Sequence, residues 1–200
     1  MAEPQVVNIL KSNAIVRYAP LGEALPSVDL AAGADWGGNW TRIGFTKAPL
    51  TVSYTAEEVE IEVEEFLAPI DRMKISHGAM FSTTLAEMDF DYMQLGVDGS
   101  VSEQAAGPGQ VGYQEIQLLD DFHVVKRVWG LEGLMYDESD NALPIRVFFT
   151  RATSRIGGEL EMSKRTDDYT GLPMEIKALA DPDYDGRLMI WRRITALATS

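Results

Sequence analysis

Polar and apolar residues alternate with a period of two over much of this chain. Val59, Ile61 and Val63 alternate with Glu58, Glu60, Glu62 and Glu64, which predicts a half-buried strand whose glutamates face away from its aliphatic residues. Ile75, His77, Ala79, Phe81, Thr83 and Leu85 form a second alternating set around Gly78. Residues 111–119, 124–131, 174–179 and 188–194 read as further strands, and residues 145–150 (IRVFFT) are a continuous apolar run of strand length. Shorter candidates lie at 14–18, 40–43 and 50–54. About ten strands separated by turn signals predict an all-β sandwich or barrel.

The spacing predicts one short helix. Asp89 is a good N-cap, residues 90–95 follow, and Gly96 fits as the stop. Met88, Tyr92 and Leu95 fall on one helical face. An earlier start from Thr84 and Glu87 as a capping box would cost the alternating strand that precedes it. Residues 32–39 are small and glycine-rich around Trp36, and 136–141 and 181–186 are acidic turns. Residues 98–110 (DGSVSEQAAGPGQ) have almost no apolar content, so a long loop that is mobile or ordered only by a partner is expected there.

A chain of 200 residues predicts one domain. We read an N-terminal arm over residues 1–13 and a single domain over 14–200. Seventeen basic and 31 acidic side chains give a net charge of −14 and a pI near 4.5. This lacks the basic footprint of a protein that grips nucleic acid by its phosphates or anionic lipid by its headgroups. No cysteine is present, which excludes disulfides, thiol catalysis and Cys-ligated zinc. Neither a signal peptide nor an apolar run long enough to span a membrane is seen, so synthesis in a cytoplasm and no membrane contact are expected.

Candidate chemistry is sparse. His77 and His123 lie in strand-like patterns with no nucleophile elbow and no second histidine at helical spacing. No phosphate-cradling glycine loop occurs. Asp181, Asp183 and Asp185 open a DPDYDG sequence like the start of a calcium loop, but the position that needs a bidentate Glu holds Arg192. An acidic turn is the alternative. Six glutamates (57, 58, 60, 62, 64 and 65) crowd one short segment, too many for an active site. Arg72 and Lys74 follow the turn through Leu67, Ala68 and Pro69, and cross-strand pairs with these glutamates would pin the hairpin's register. Val6, Val7, Ile9 and Leu10 make the N-terminal arm too apolar to sit free in water.

Taken in order, the chain has an early glycine-rich segment with Trp40-Thr41-Arg42-Ile43-Gly44, a β-rich stretch with a long acidic hairpin over 50–77, and a strand running into a short helix and turn over 79–99. It closes with residues 172–183 (LPMEIKALADPD), preceded by the 164–172 turn, and a terminal strand. Over roughly residues 14–198 this arrangement resembles the major tail tube proteins of long-tailed, non-contractile bacteriophages, related to the tube of type VI secretion. The resemblance implies a β-sandwich with one short helix, and hexameric rings in which subunit strands close into one continuous barrel. Stacked rings would form the tube through which viral DNA is ejected. It implies no catalytic residues and no cofactor. Its implied partners are the chain itself, a tape-measure protein, tail-tip or baseplate and tail-terminator proteins, and DNA in transit, in a virion made in a bacterial host. Glu58, Glu60, Glu62 and Glu64 are the expected channel lining, where like charge lets DNA slide. Val6, Val7, Ile9 and Leu10 of the arm, and the tip residues Glu65, Phe66, Leu67, Pro69 and Ile70, are the expected ring-to-ring contacts. The alternatives are a ring-forming terminator or baseplate component, and a monomeric β-sandwich that binds calcium.

Overall fold

The computed structural model describes residues 14–47, 49–118, 124–136, 140–160 and 171–195. The protein is mainly β, 53% strand and 7% helix, with antiparallel sheets and one short helix. The strands are β1 (Ile15–Pro20), β2 (Thr41–Arg42), β3 (Thr51–Ile61), β4 (Asp71–Leu85), β5 (Ser100–Gln104), β6 (Tyr113–Gln117), β7 (Lys126–Tyr136), β8 (Ala142–Ile156), β9 (Leu172–Ala178) and β10 (Ile190–Arg193). The helix α1 (Phe90–Val97) follows β4.

The main sheet runs β2-β1-β7-β8-β9-β4-β3, with β10 paired to β8, and β5-β6 form a separate two-stranded sheet. The residues after β2 reach the end of β4: Lys47 N donates to Thr84 O and Ala86 N to Phe45 O, both at 2.7 Å. The connection from β2 to β3 therefore runs along the end of β4, beside the core. That core holds Phe81, Leu85, Trp129, Phe149, Leu172, Met174 and Ile176, with Leu95 of α1 packed against them.

The central strands also bury their other face. Val128 and Phe148 pack outward beneath Trp36 and Trp40 of the segment that joins β1 to β2. Three arginines hold that segment down as a strap. Arg146 donates to Ser27 O and Leu30 O, Arg17 to Ala34 O, and Arg192 to Pro26 O. Glu132 sits among them with almost no exposure. It accepts from Arg146 Nε at 2.7 Å, from Gly33 N at 2.8 Å and from Trp36 Nε1 at 3.3 Å. The Arg17 guanidinium lies 4.5 Å from the Trp36 ring centre. Burial lowers its pKa below the usual guanidinium value, and the Glu132 carboxylate opposes that fall. Gly130 is needed here, because a Cβ at that position would collide with the Trp36 ring.

Three expectations are corrected. The helix does not stop at Gly96. It runs to Val97 and ends at Asp98, whose φ of 49° is left-handed, while Gly96 lets α1 close on Ile156 and Met174. The apolar-poor segment after α1 is not all loop, because Ser100–Gln104 pairs with β6 from Ser100↔Gln117 to Gln104↔Tyr113. The candidates at 50–54 and in the glutamate-rich run are one strand, β3, which ends at Ile61.

Candidate interaction surface

The hairpin of β3 and β4 is a candidate interaction surface. All of β3 pairs with β4, from Thr51↔Ser82 to Ile61↔Asp71. Beyond β3, however, β4 pairs with β9 only over Met80–Leu85. Its first nine residues have β3 as their one neighbour among the described strands. The outer half is thus a two-stranded ribbon that projects about 30 Å past the sheet at ~3.3 Å per residue. Such ribbons are marginal in water by themselves.

Both faces of the ribbon can be read from its register. Opposed residues of an antiparallel pair share a face. One face carries Glu58 opposite Lys74 and Glu60 opposite Arg72. It continues the side on which Val52 packs into the core. Arg72 Nη2 lies 2.6 Å from Glu60 Oε1, and Lys74 Nζ donates to Tyr54 Oη at 2.9 Å. That hydrogen bond, aided by the nearby Glu58, raises the Lys74 pKa above the ordinary ammonium value. Tyr54 and His77 stack at 6.2 Å on the same face. His77 is thus a surface group, and His123 lies outside the described residues.

The other face carries Glu57, Val59 and Ile61 on β3 opposite Ser76, Met73 and Asp71 on β4. Ser76 Oγ donates to Glu57 Oε2 at 2.8 Å, which fixes the side. Val59, Ile61 and Met73 remain 45%, 38% and 54% exposed. The sequence reading of a half-buried strand is corrected here, because both faces are open. The cause is the reach of the ribbon past β9, which leaves residues 71–79 of β4 with β3 as their one neighbour among the described strands. The register steps from Glu57↔Ser76 to Glu58↔Lys74, which leaves Ile75 as an extra residue in β4. This β-bulge sets Lys74 and Arg72 across from Glu58 and Glu60, and Met73 across from Val59.

The expected glutamate row is divided. Glu58 and Glu60 share a strand face, whereas Glu62 and Glu64 lie past the end of β3, in the connection to β4. Glu65, Phe66, Leu67, Pro69 and Ile70 are exposed in the same connection. Val6, Val7, Ile9 and Leu10 lie outside the described residues, as does most of the 164–172 turn.

The three aspartates of the DPDYDG sequence do not act together. Asp181 is buried and caps a 3-10 turn at Pro182–Tyr184 by accepting from Asp183 N at 3.2 Å. Asp185 has a left-handed φ of 55° and pairs with Arg187. Gly186 N closes the turn on Asp181 O at 2.7 Å. Asp181 and Asp183 line one side of a cleft of about 260 Å³ with Glu23, Arg151 and Thr150, and Asp185 is not in it. Among the described residues no group of three or more carboxylates and histidines is placed to hold a metal ion. This sequence is an acidic turn, as Pro182 at the start of the 3-10 turn requires.

No protein-family model matches the chain, and no curated protein is significantly similar to it. The surface itself therefore has to carry the functional reading. What it offers is a long edge on β3 with no outer neighbour among the described strands, an exposed apolar tip and a charged face, which suit binding to another chain.

Proposed function

We propose that the chain is a structural subunit whose copies join into rings and stack as a hollow tube, the role of the major tail tube proteins it resembles. The observation that carries this reading is the projecting hairpin. Val59, Ile61, Phe66, Leu67, Ile70, Met73 and Ile75 are all exposed on one ribbon, a concentration that a solitary chain would leave in water. The edge of β3 has eleven residues and no outer neighbour among the described strands. Pairing strands between copies would remove that edge. In this reading Glu58 and Glu60 face the channel and the hairpin tip makes ring-to-ring contact. Arg72 and Lys74 offset the charge of the strand face, so the repulsion that lets DNA slide rests on Glu62, Glu64 and the net charge of the ring.

Negative-stain electron microscopy of the concentrated protein, with light scattering after size exclusion, tests the proposal. Hollow tubes of uniform width are expected. Single rings that never stack would turn the reading to a terminator or baseplate component. A monomer that never polymerises on a tail-tip template and whose melting temperature rises with calcium would overturn it in favour of a binding module. Exchanging Glu60 and Glu62 for Lys tests the channel assignment. Normal tubes with impaired DNA delivery are expected, and unchanged delivery would remove these residues from the channel wall.

A further inference from the structure

The same face of the sheet that carries Glu57, Val59, Ile61, Asp71 and Met73 on the ribbon carries a basic strip at the other side of β4. Ile176 and Ala152 point into the core. Their neighbours Lys177 and Thr153 therefore point outward, and they are paired to each other. Thr153 is in turn opposite Lys126 of β7, so Lys177, Thr153 and Lys126 form one row across three strands. Arg155, on the same face one row away, is held by Glu175 at 2.6 Å.

The two patches match in charge and polarity. On the ribbon's outer face Glu57 is bonded to a hydroxyl and Asp71 to the Arg72 backbone N–H, and no cation shares that face. On the strip, Lys126 and Lys177 have no acidic residue between them in the row. The ribbon's opposite face differs, since its two glutamates already sit across from Arg72 and Lys74. We infer that the outer face of the ribbon, through Val59, Ile61 and Met73 with Glu57 and Asp71, docks on the Lys126–Lys177 strip of a second copy of this chain. This deepens the proposed function, because it names the two surfaces through which copies would join. The β-bulge at Ile75 is what separates the docking face from the charge-paired face.

A mixing experiment tests it by sedimentation velocity on the full-length chain. One variant, Val59→Glu with Met73→Glu, spoils the ribbon. The other, Lys126→Glu with Lys177→Glu, spoils the strip. Each alone is expected to lose at least tenfold in association, with circular dichroism unchanged. Mixed one to one, they are expected to form a complex, because one intact strip meets one intact ribbon. Charge exchange gives a second arm, in which Glu57→Lys with Asp71→Lys restores association to the strip variant. Wild-type-like association of both variants, a mixture that stays monomeric, or a wild-type chain that never associates overturns the docking. Association without tubes leaves the docking standing and removes the tube. Tubes formed by the strip variant do the reverse.

Discussion

Glu132 holds the inside of the strap together, and its chemistry gives the sharpest mutational expectation. Its carboxylate lies between two buried guanidiniums, with Arg146 at 2.7 Å and Arg17 at 3.7 Å. Replacing it with Gln would remove the carboxylate that both arginines face and leave two like charges buried side by side. Breaking such a site by removing one partner costs about 3–5 kcal/mol. We expect Glu132→Gln to lower the unfolding free energy measured in urea by that amount, and an unchanged value would show that water reaches the arginines. The sequence did not single out Glu132, since a lone charge in an apolar strand reads as a solvent-facing position. It is buried because β7 is covered on both faces, which depends on a strap folded from residues far away in the chain. Tyr92 gives a pH expectation. Burial first, then Glu87 and Asp89, raise its pKa above the usual phenol value. The folded state therefore holds the phenolic proton more tightly than the unfolded state does. That contribution is complete below pH 10, the unfolded value, and is lost as pH climbs through the raised folded value. Tyr92→Phe should flatten the loss of melting temperature above pH 10 and leave the neutral range unchanged in slope.

Elements with strong local signals were legible, and those fixed by distant partners were not. The cap of α1 is a local signal. Asp89 accepts from Asp91 N at 2.9 Å, and Asp89→Ala should cost about 1 kcal/mol in thermal unfolding. A smaller loss would mean that the packing of Leu95 alone holds the helix. The hairpin was legible through its alternation and through Arg72, which meets Glu60 as the spacing required. Both partners of that pair are well exposed, so it sets register more than it adds stability. The bulge at Ile75 was not legible, because periodicity along one strand cannot reveal an extra residue relative to its neighbour. The full length of β8 was hidden for a related reason. Its apolar run ends at Phe149, and the register with β7 slips opposite Val128, around Thr150 and Arg151. The strand then continues through Ala152 to Ile156 with a different residue parity facing the core. Strand β5 was missed because its pairing with β6 depends on a turn rich in Gly and Pro and not on a run of apolar residues.

For the whole molecule, the question is which electrostatic effect governs association. Each copy carries a net charge of −14, so copies repel one another at long range. The inferred contact between ribbon and strip instead brings opposite charges together at short range. Salt acts unequally on the two. Raising ionic strength from about 0.01 to 0.15 M shortens the screening length from about 30 to 8 Å. That removes most of the repulsion between distant carboxylates, while ion pairs in contact and partly desolvated are screened much less. Apolar burial of Val59, Ile61 and Met73 is not weakened by this change. Association should therefore tighten as salt rises over that range, and sedimentation velocity at fixed protein concentration measures it. Lowering the pH towards 4.5, the isoelectric value, should act in the same direction by reducing the net charge of each copy. A steady weakening from the lowest salt upward would mean that the contact is dominated by its ion pairs. The Lys126→Glu, Lys177→Glu variant separates the cases, because it removes the attraction and adds to the repulsion. Its residual association should rise more steeply with salt than that of the parent chain.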